Sequence, residues 1–268
     1  MSVETRGGHP VFVAHRGRGA RPALLIHASL ASHRAWSGVM TRLSDALSMT
    51  AFDLPGHGQS GDWHGQGDYL DLCAGVTADC LAGPADLVGH SFGAVVALKV
   101  ALERPDLCRS LTLVEPVLFA AARGSAGHDS CRAAHLDIFA ALDRGDTSAA
   151  ARGFTDLWGA GQPWEALSDA QKHGFADRMW MVGAADAALD ADSHGLLAPG
   201  RLEALNRPVL LIRGAESPAV MPAILETLAA RLPDARSVTV PGAGHMAPLT
   251  HPVAVADAIR ARHLGAPL

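Results

Sequence analysis

Between residues 22 and 240 two patterns alternate along the chain, and that alternation limits its fold more than any other feature. Short apolar runs bounded by Gly, Pro or Asp read as buried strands: PALLIH (22–27), MTAFD (49–53), ADLVG (85–89), SLTLVE (110–115), PVLLIR (208–213) and RSVTV (236–240). Amphipathic stripes lie between several of them. Trp36, Val39, Met40, Leu43 and Leu47 make one, and Val95, Leu98, Ala101 and Leu102 another. Leu225, Leu228, Ala229 and Leu232 make a third, opened by Pro222 at a first-turn position that tolerates proline. Near-continuous apolar strands separated by helices imply a mostly parallel sheet covered on both faces, an α/β fold.

The rhythm breaks between about Val117 and Leu202. This stretch is Ala-rich, holds Trp158, Trp164 and Trp180, and has helical-looking segments at 131–143 and 166–182 but no convincing strand. It reads as a helical insertion over the sheet, at the strand edge where open α/β sheets bind ligands. The expected division is a core of residues 1–116 and 203–268 with a helical cap over 117–202. Extra helices packed on a sheet edge are the plainer alternative.

With 268 residues, 49% of them hydrophobic and 18% charged, the chain suits one large globular domain with an insertion. A net charge of −5 with only two lysines, Lys99 and Lys172, leaves no basic stripe for nucleic acid. No run of 18 apolar residues occurs, so no membrane span is expected. The N-terminus lacks the charged-then-apolar layout of a signal, which points to the cytoplasm. Cys73, Cys80, Cys108 and Cys131 have no metal-ligand spacing, so free thiols are expected and no metal. No feature sets an oligomeric state.

The strongest chemical signal is GHSFG at 89–93, where the strand ADLV runs through Gly89-His90-Ser91-Phe92-Gly93 straight into the helix AVVALKVALERP. Flanking glycines suit a turn with no room for side chains, and the turn lifts the Ser91 hydroxyl to the positive end of the helix. Ser91 is the nucleophile candidate. A serine needs a base. The best is His245 in VPGAGHMAPLTHP, a loop after the last strand that brings an imidazole to the same sheet edge. His90 and His251 read as structural. LLIHASLASHRAW (24–36) follows a strand and supplies a second oxyanion donor, the backbone N–H of Ser29, facing that of Phe92. DLPGHGQSGDW (53–63) lacks the spacing of a phosphate loop and reads as a structural turn.

HASLASHRAW, DLPGHGQS, GHSFG, LVEP and GAGHMAPLTHP, in that order, resemble the α/β-hydrolase fold family in its branch with a helical cap after the sixth strand. The resemblance is firmest over 22–116 and 205–264. It implies an eight-stranded, mostly parallel sheet and a Ser-His-acid triad working without a cofactor. The chain departs from the pattern twice. His27-Ala28 replaces the common His-Gly, and the usual aspartate three residues after Gly214 is Ser217.

Two glutamates can take the missing role. Glu216 lies in the usual acid loop, one residue early. Glu115 ends the strand SLTLVE, where some family members carry their acid, certain haloalkane dehalogenases among them. That activity does not carry over, because it needs an aspartate where this chain has Ser91. A glutamate closing an apolar central strand is costly to bury without a partner such as the His245 Nδ1–H, although an arginine such as Arg109 would also serve. Glu115 is the preferred acid and Glu216 the alternative.

The expected activity is hydrolysis of a small to medium ester or lactone through an acyl-enzyme on Ser91. Trp158, Trp180 and Met179, together with Trp164 and Met181, are candidates for an apolar pocket, although adjacent positions cannot all face one way. Carbon–carbon hydrolysis of ring-cleavage diketones uses the same triad and would call on a cation such as Arg123 or Arg178. A non-catalytic binding protein on the same scaffold is a third reading. The only partner expected is a small-molecule substrate.

Overall fold

The computed structural model describes residues Met1–Gly265; the last three residues of the expected core lie outside them. Eight strands form one sheet in the order β1-β2-β4-β3-β5-β6-β7-β8. They are β1 (Ser2–Arg6), β2 (His9–Arg16), β3 (Arg21–Ile26), β4 (Leu47–Phe52), β5 (Ala85–His90), β6 (Cys108–Val114), β7 (Val209–Gly214) and β8 (Ala235–Val240). β2 runs antiparallel to both neighbours, and β3 to β8 are parallel.

The first two strands were not legible as strands. They form a hairpin through Gly7-Gly8, both at positive φ, the conformation that a two-residue hairpin turn demands. Only four consecutive residues of β2, Val11 to Ala14, are buried, too short a run to stand out.

Burial alternates with period two along the central strands. Leu24 and Ile26 of β3 and Val209 and Leu211 of β7 face one layer; Ala23, Leu25, Leu210 and Ile212 face the other. Helices α2 (Tyr69–Asp79), α3 (Phe92–Glu103) and α8 (Val220–Arg231) cover the first face. The second is covered by α1 (Ser37–Leu43) and the C-terminal α10 (Pro252–His263). Val39, Met40 and Leu43 of α1, with Trp36 in the short 3-10 turn before it, bury the expected stripe, but Leu47 belongs to β4, because the helix ends at Leu43. A short α9 (Ala247–Thr250) precedes α10.

Between β6 and β7 the chain is helical, with α4 (Ala126–Asp143), α5 (Thr147–Trp158), α6 (Asp169–Ala176) and α7 (Trp180–Asp190). The stretch 166–182 is therefore not one helix. Ser168 opens α6 with a capping box to Gln171, and the chain turns again at 177–179 before α7. Ser125 caps α4 by accepting from the His128 N–H, which starts that helix five residues earlier than its apolar spacing suggests. These helices have a small core of their own, built on Ile138, Ala150, Trp164 and Met179. No helix among the described residues is long and apolar enough to cross a membrane.

Candidate active site

Ser91 sits at φ 56, ψ −120 between β5 and α3. A non-glycine residue there is strained by roughly 1–3 kcal/mol and persists only where its surroundings hold it. They do. The Ser91 N–H donates to the Val114 carbonyl at 2.9 Å, continuing the sheet ladder. A Cβ on Gly89 would collide with the Gly93 carbonyl, and one on Gly93 with the carbonyls of Ile26 and His27. Both glycines are needed because backbone fills the space a side chain would take.

The His245 Nε2 lies 2.9 Å from Ser91 Oγ, and its Nδ1 lies 3.0 Å from Glu115 Oε2. The three side chains are 7% exposed or less. Glu115 follows the last residue of β6 at φ 52, another strained position, with its own N–H donating to the Ile212 carbonyl at 2.8 Å. Its second oxygen, Oε1, accepts from the Gly214 N–H and the Ser217 hydroxyl, each at 2.6 Å. The residue standing where the family usually has its acid thus holds the carboxylate that reaches the histidine. Ser217 was not singled out as a partner for Glu115; its hydroxyl in an acid-less acid loop was the available signal. Glu216 is exposed, and its side chain makes no hydrogen bond among the described residues. Arg109 donates to the Pro84 carbonyl at 2.9 Å and not to Glu115.

His90 carries the backbone of the loop: its Nε2–H donates to the His245 carbonyl at 2.8 Å. Burial, then the nearby His245, push His90 down to about 3, so it stays neutral and keeps one acceptor nitrogen.

The strand-to-loop segment at 27–30 is clamped to the 53–57 turn by two neutral imidazoles. His27 Nε2 accepts from the Leu54 N–H at 2.9 Å, and His57 Nε2 accepts from the Leu30 N–H at 3.0 Å. Acceptance requires an unprotonated nitrogen, and burial supplies it. It lowers His27 to about 4 and drives His57 well below the usual imidazole value. Asp53, fully buried, takes the His33 N–H and ring at 2.7 Å each and the Gln59 N–H at 2.9 Å. The DLPGHGQS turn is therefore a brace for the loop holding Ser29. The Ser29 N–H makes no hydrogen bond among the described residues, and the Phe92 N–H, first of α3, has no acceptor there either.

Two cavities meet this site. A small chamber of about 30 Å³ touches Ser29 and Ser91, and a larger groove of about 650 Å³ runs past His245, Met246 and the rim residue Glu216. Trp158 lines the chamber and packs edge-on against the His245 ring at 4.6 Å between centroids. Trp180 and Met179 do not line it. α7 presents Val182, Ala185, Asp186 and Leu189 to the chamber, a helical i, i+3, i+4, i+7 face that turns its first residues elsewhere. Trp180 stacks on Trp63 at 5.2 Å, while Met179 is buried among Ile138, Ala150 and Trp164. Arg123 donates to the Asp190 carbonyl and Arg178 to that of Gly174, and neither lines the chamber.

All four cysteines are free. Among the described residues, the one grouping of three possible metal ligands is Asp68, Asp71 and His194, outside both cavities. Lys99 already meets Asp71 at 2.9 Å, so part of that negative charge is matched.

A model of the alpha/beta hydrolase family matches residues 23–258, and the chain belongs to that family, as an enzyme of the α/β-hydrolase fold. It is similar to a 2-(acetamidomethylene)succinate hydrolase from Mesorhizobium japonicum, 29% identical over 239 residues, 86% of this chain and 84% of that protein. It is also similar to a pimeloyl-[acyl-carrier protein] methyl ester esterase from Neisseria meningitidis serogroup B, 31% identical over 245 residues, 88% of this chain and 90% of the esterase. Among solved structures, a hydrolase from Pseudomonas aeruginosa superposes with a TM-score of 0.75 at 23% identity, over 99% of this chain and 98% of the other, a likeness of fold alone.

Proposed function

We propose that the chain is a serine ester hydrolase with Ser91 as nucleophile, His245 as general base and acid, and Glu115 as the carboxylate behind the imidazole. The observation that carries this reading is the continuous path from Ser91 Oγ to His245 Nε2 at 2.9 Å and from Nδ1 to Glu115 at 3.0 Å. Ser91 Oγ bonds to the ester carbonyl carbon while its proton passes to Nε2, and Glu115 stabilises the imidazolium. The Phe92 and Ser29 N–H groups receive the oxyanion. Collapse breaks the ester C–O bond, and the departing alkoxide takes the proton from His245. Water then attacks the acyl-enzyme through the same base and releases the acid. Residues 117–202 act as a cap over the serine. No cofactor enters any step.

The pimeloyl-[acyl-carrier protein] methyl ester esterases among the relatives support the ester reading. Carbon–carbon hydrolysis of a ring-cleavage diketone calls for a cation to hold the substrate carboxylate. Among the described residues, no arginine lines the chamber, and Arg132 is tied to the chamber residue Asp186 at 2.7 Å. Steady-state hydrolysis of p-nitrophenyl acetate tests the proposal. Turnover by the wild type and none above background by Ser91→Ala is expected, with an unchanged circular dichroism spectrum. Equal turnover by the two would reject it.

A further inference from the structure

The chamber beside Ser91 is small and mostly apolar, yet one of its lining residues carries a hydrogen-bond donor without a protein partner among the described residues. The Trp158 Nε1–H, which can only donate, gives its hydrogen to His135 Nε2 at 3.1 Å. Burial lowers His135 to about 4, so the ring is neutral near pH 7. A neutral ring accepting on Nε2 carries its single proton on Nδ1. That Nδ1–H has no partner among the described residues, although His135 is only 4% exposed and lines the chamber. Nδ1 still reaches the accessible space of the chamber, so an acceptor atom placed there by a ligand gains about one neutral hydrogen bond, a few-fold in kcat/KM.

The two cavities divide the substrate between them. His245 must hand its proton to the leaving group, which belongs in the groove that His245 lines. Ser29, the oxyanion donor, lines the chamber, so the acyl group belongs there. A chamber of about 30 Å³ has room for about two to three water-sized groups beyond the carbonyl carbon. Phe139, Phe154 and Leu189 line its walls, and Asp186 at its edge is already paired with Arg132 at 2.7 Å, so among the described residues no free cation awaits a carboxylate there.

On the reading that this is an ester hydrolase, we propose that its substrates are esters of a short acyl group carrying a neutral oxygen acceptor (ether, hydroxyl or ketone), and that His135 selects them through its Nδ1–H. The alcohol part is free to be large, since it lies in the larger groove.

The test uses p-nitrophenyl methoxyacetate, butyrate and octanoate, the first two differing only by an oxygen in place of a methylene. In the wild type, kcat/KM for octanoate should fall at least about tenfold below butyrate, the chain being too long for the chamber. The methoxyacetate-to-butyrate ratio should drop about three- to tenfold in His135→Phe, the worth of one neutral hydrogen bond, with the intrinsic reactivity of the two esters cancelling. His135→Gln should restore it, because its amide can accept from Trp158 and still donate. Octanoate turned over as fast as butyrate overturns the size claim using wild type alone, whether or not His135→Phe folds. A ratio unchanged in a folded His135→Phe overturns the role of His135. Either result leaves ester hydrolysis standing, whereas no turnover of any of the three esters sinks both readings.

Discussion

Replacing Glu115 by Gln changes one atom, and the surroundings decide which way the new amide faces. Oε1 receives two donors, the Gly214 N–H and the Ser217 hydroxyl, each at 2.6 Å. An amide NH₂ placed there would confront the Gly214 N–H with another donor, so the amide oxygen keeps that side. The NH₂ is then left 3.0 Å from His245 Nδ1, which must accept. An imidazole accepting on Nδ1 carries its proton on Nε2, facing Ser91, and cannot take the serine proton. The imidazolium also loses its counter-charge. In a protease triad the corresponding loss is about 10⁴ in kcat. Here we expect a fall of about 10² to 10⁴, or about 3–5 kcal/mol of transition-state stabilisation at 1.36 kcal/mol per tenfold, with KM moving far less. The assay is p-nitrophenyl acetate hydrolysis over a substrate series, with a thermal melt to show that the variant is folded. Glu216→Gln is the control and should stay within about three-fold of wild type, as exposed substitutions usually do. A folded Glu115→Gln within about tenfold of wild-type kcat, or Glu216→Gln as the worse variant, would refute the assignment.

Ser217→Ala removes a hydroxyl from a fully buried carboxylate and should cost about 1.5–3 kcal/mol of stability, read from the urea midpoint. Its kcat should fall far less than that of Glu115→Gln, since the His245–Glu115 contact survives; an equal fall would mean that Ser217 does more than hold the carboxylate. Gly93→Ala sets a Cβ against the carbonyls of Ile26 and His27, neither of which can move, and should cost about 3 kcal/mol or abolish soluble expression. A melting temperature unchanged from wild type would contradict the packing described at that turn. His27, His90, His135 and His263 are pushed to about 4, 3, 4 and 4 by burial. The unfolded chain therefore binds more protons than the folded one below about pH 6.5, and stability falls as pH drops from there toward 4. Near pH 5 the four histidines set an upper limit of roughly 5 kcal/mol per pH unit. A urea midpoint flat between pH 7 and 5 would contradict their burial in the neutral form.

Period and punctuation made the parallel part of the fold legible, because β3 to β8 are apolar runs closed by turn residues. The β1–β2 hairpin escaped because its apolar stretch is only four residues long. In the cap the pattern failed for a different reason. Ala-rich segments carry little period, so the break between α6 and α7 showed only in the Ser168 box. For the site, Ser91 and His245 stood out through the backbone their neighbours require. Glu115 was preferred from the family resemblance and the cost of burying a lone carboxylate at the end of an apolar strand, with Glu216 kept as the alternative. The pairing of Ser217 with it was not legible, because it joins residues 102 positions apart. The same holds for Trp180 and Met179, since which side of a helix meets a cavity depends on where that helix begins. His27 and His57 were hidden by their own burial: nothing local marks a histidine as an acceptor in its neutral form.

The account rests on a covalent bond at Ser91, and a fluorophosphonate measures that bond directly. The serine oxygen attacks phosphorus, His245 takes the proton, and fluoride leaves. Intact-protein mass spectrometry should find one adduct per chain, mapped to the Ser91 peptide, and Ser91→Ala should show none. An adduct on another residue, or ester hydrolysis that persists in Ser91→Ala without labelling, would contradict the central claim.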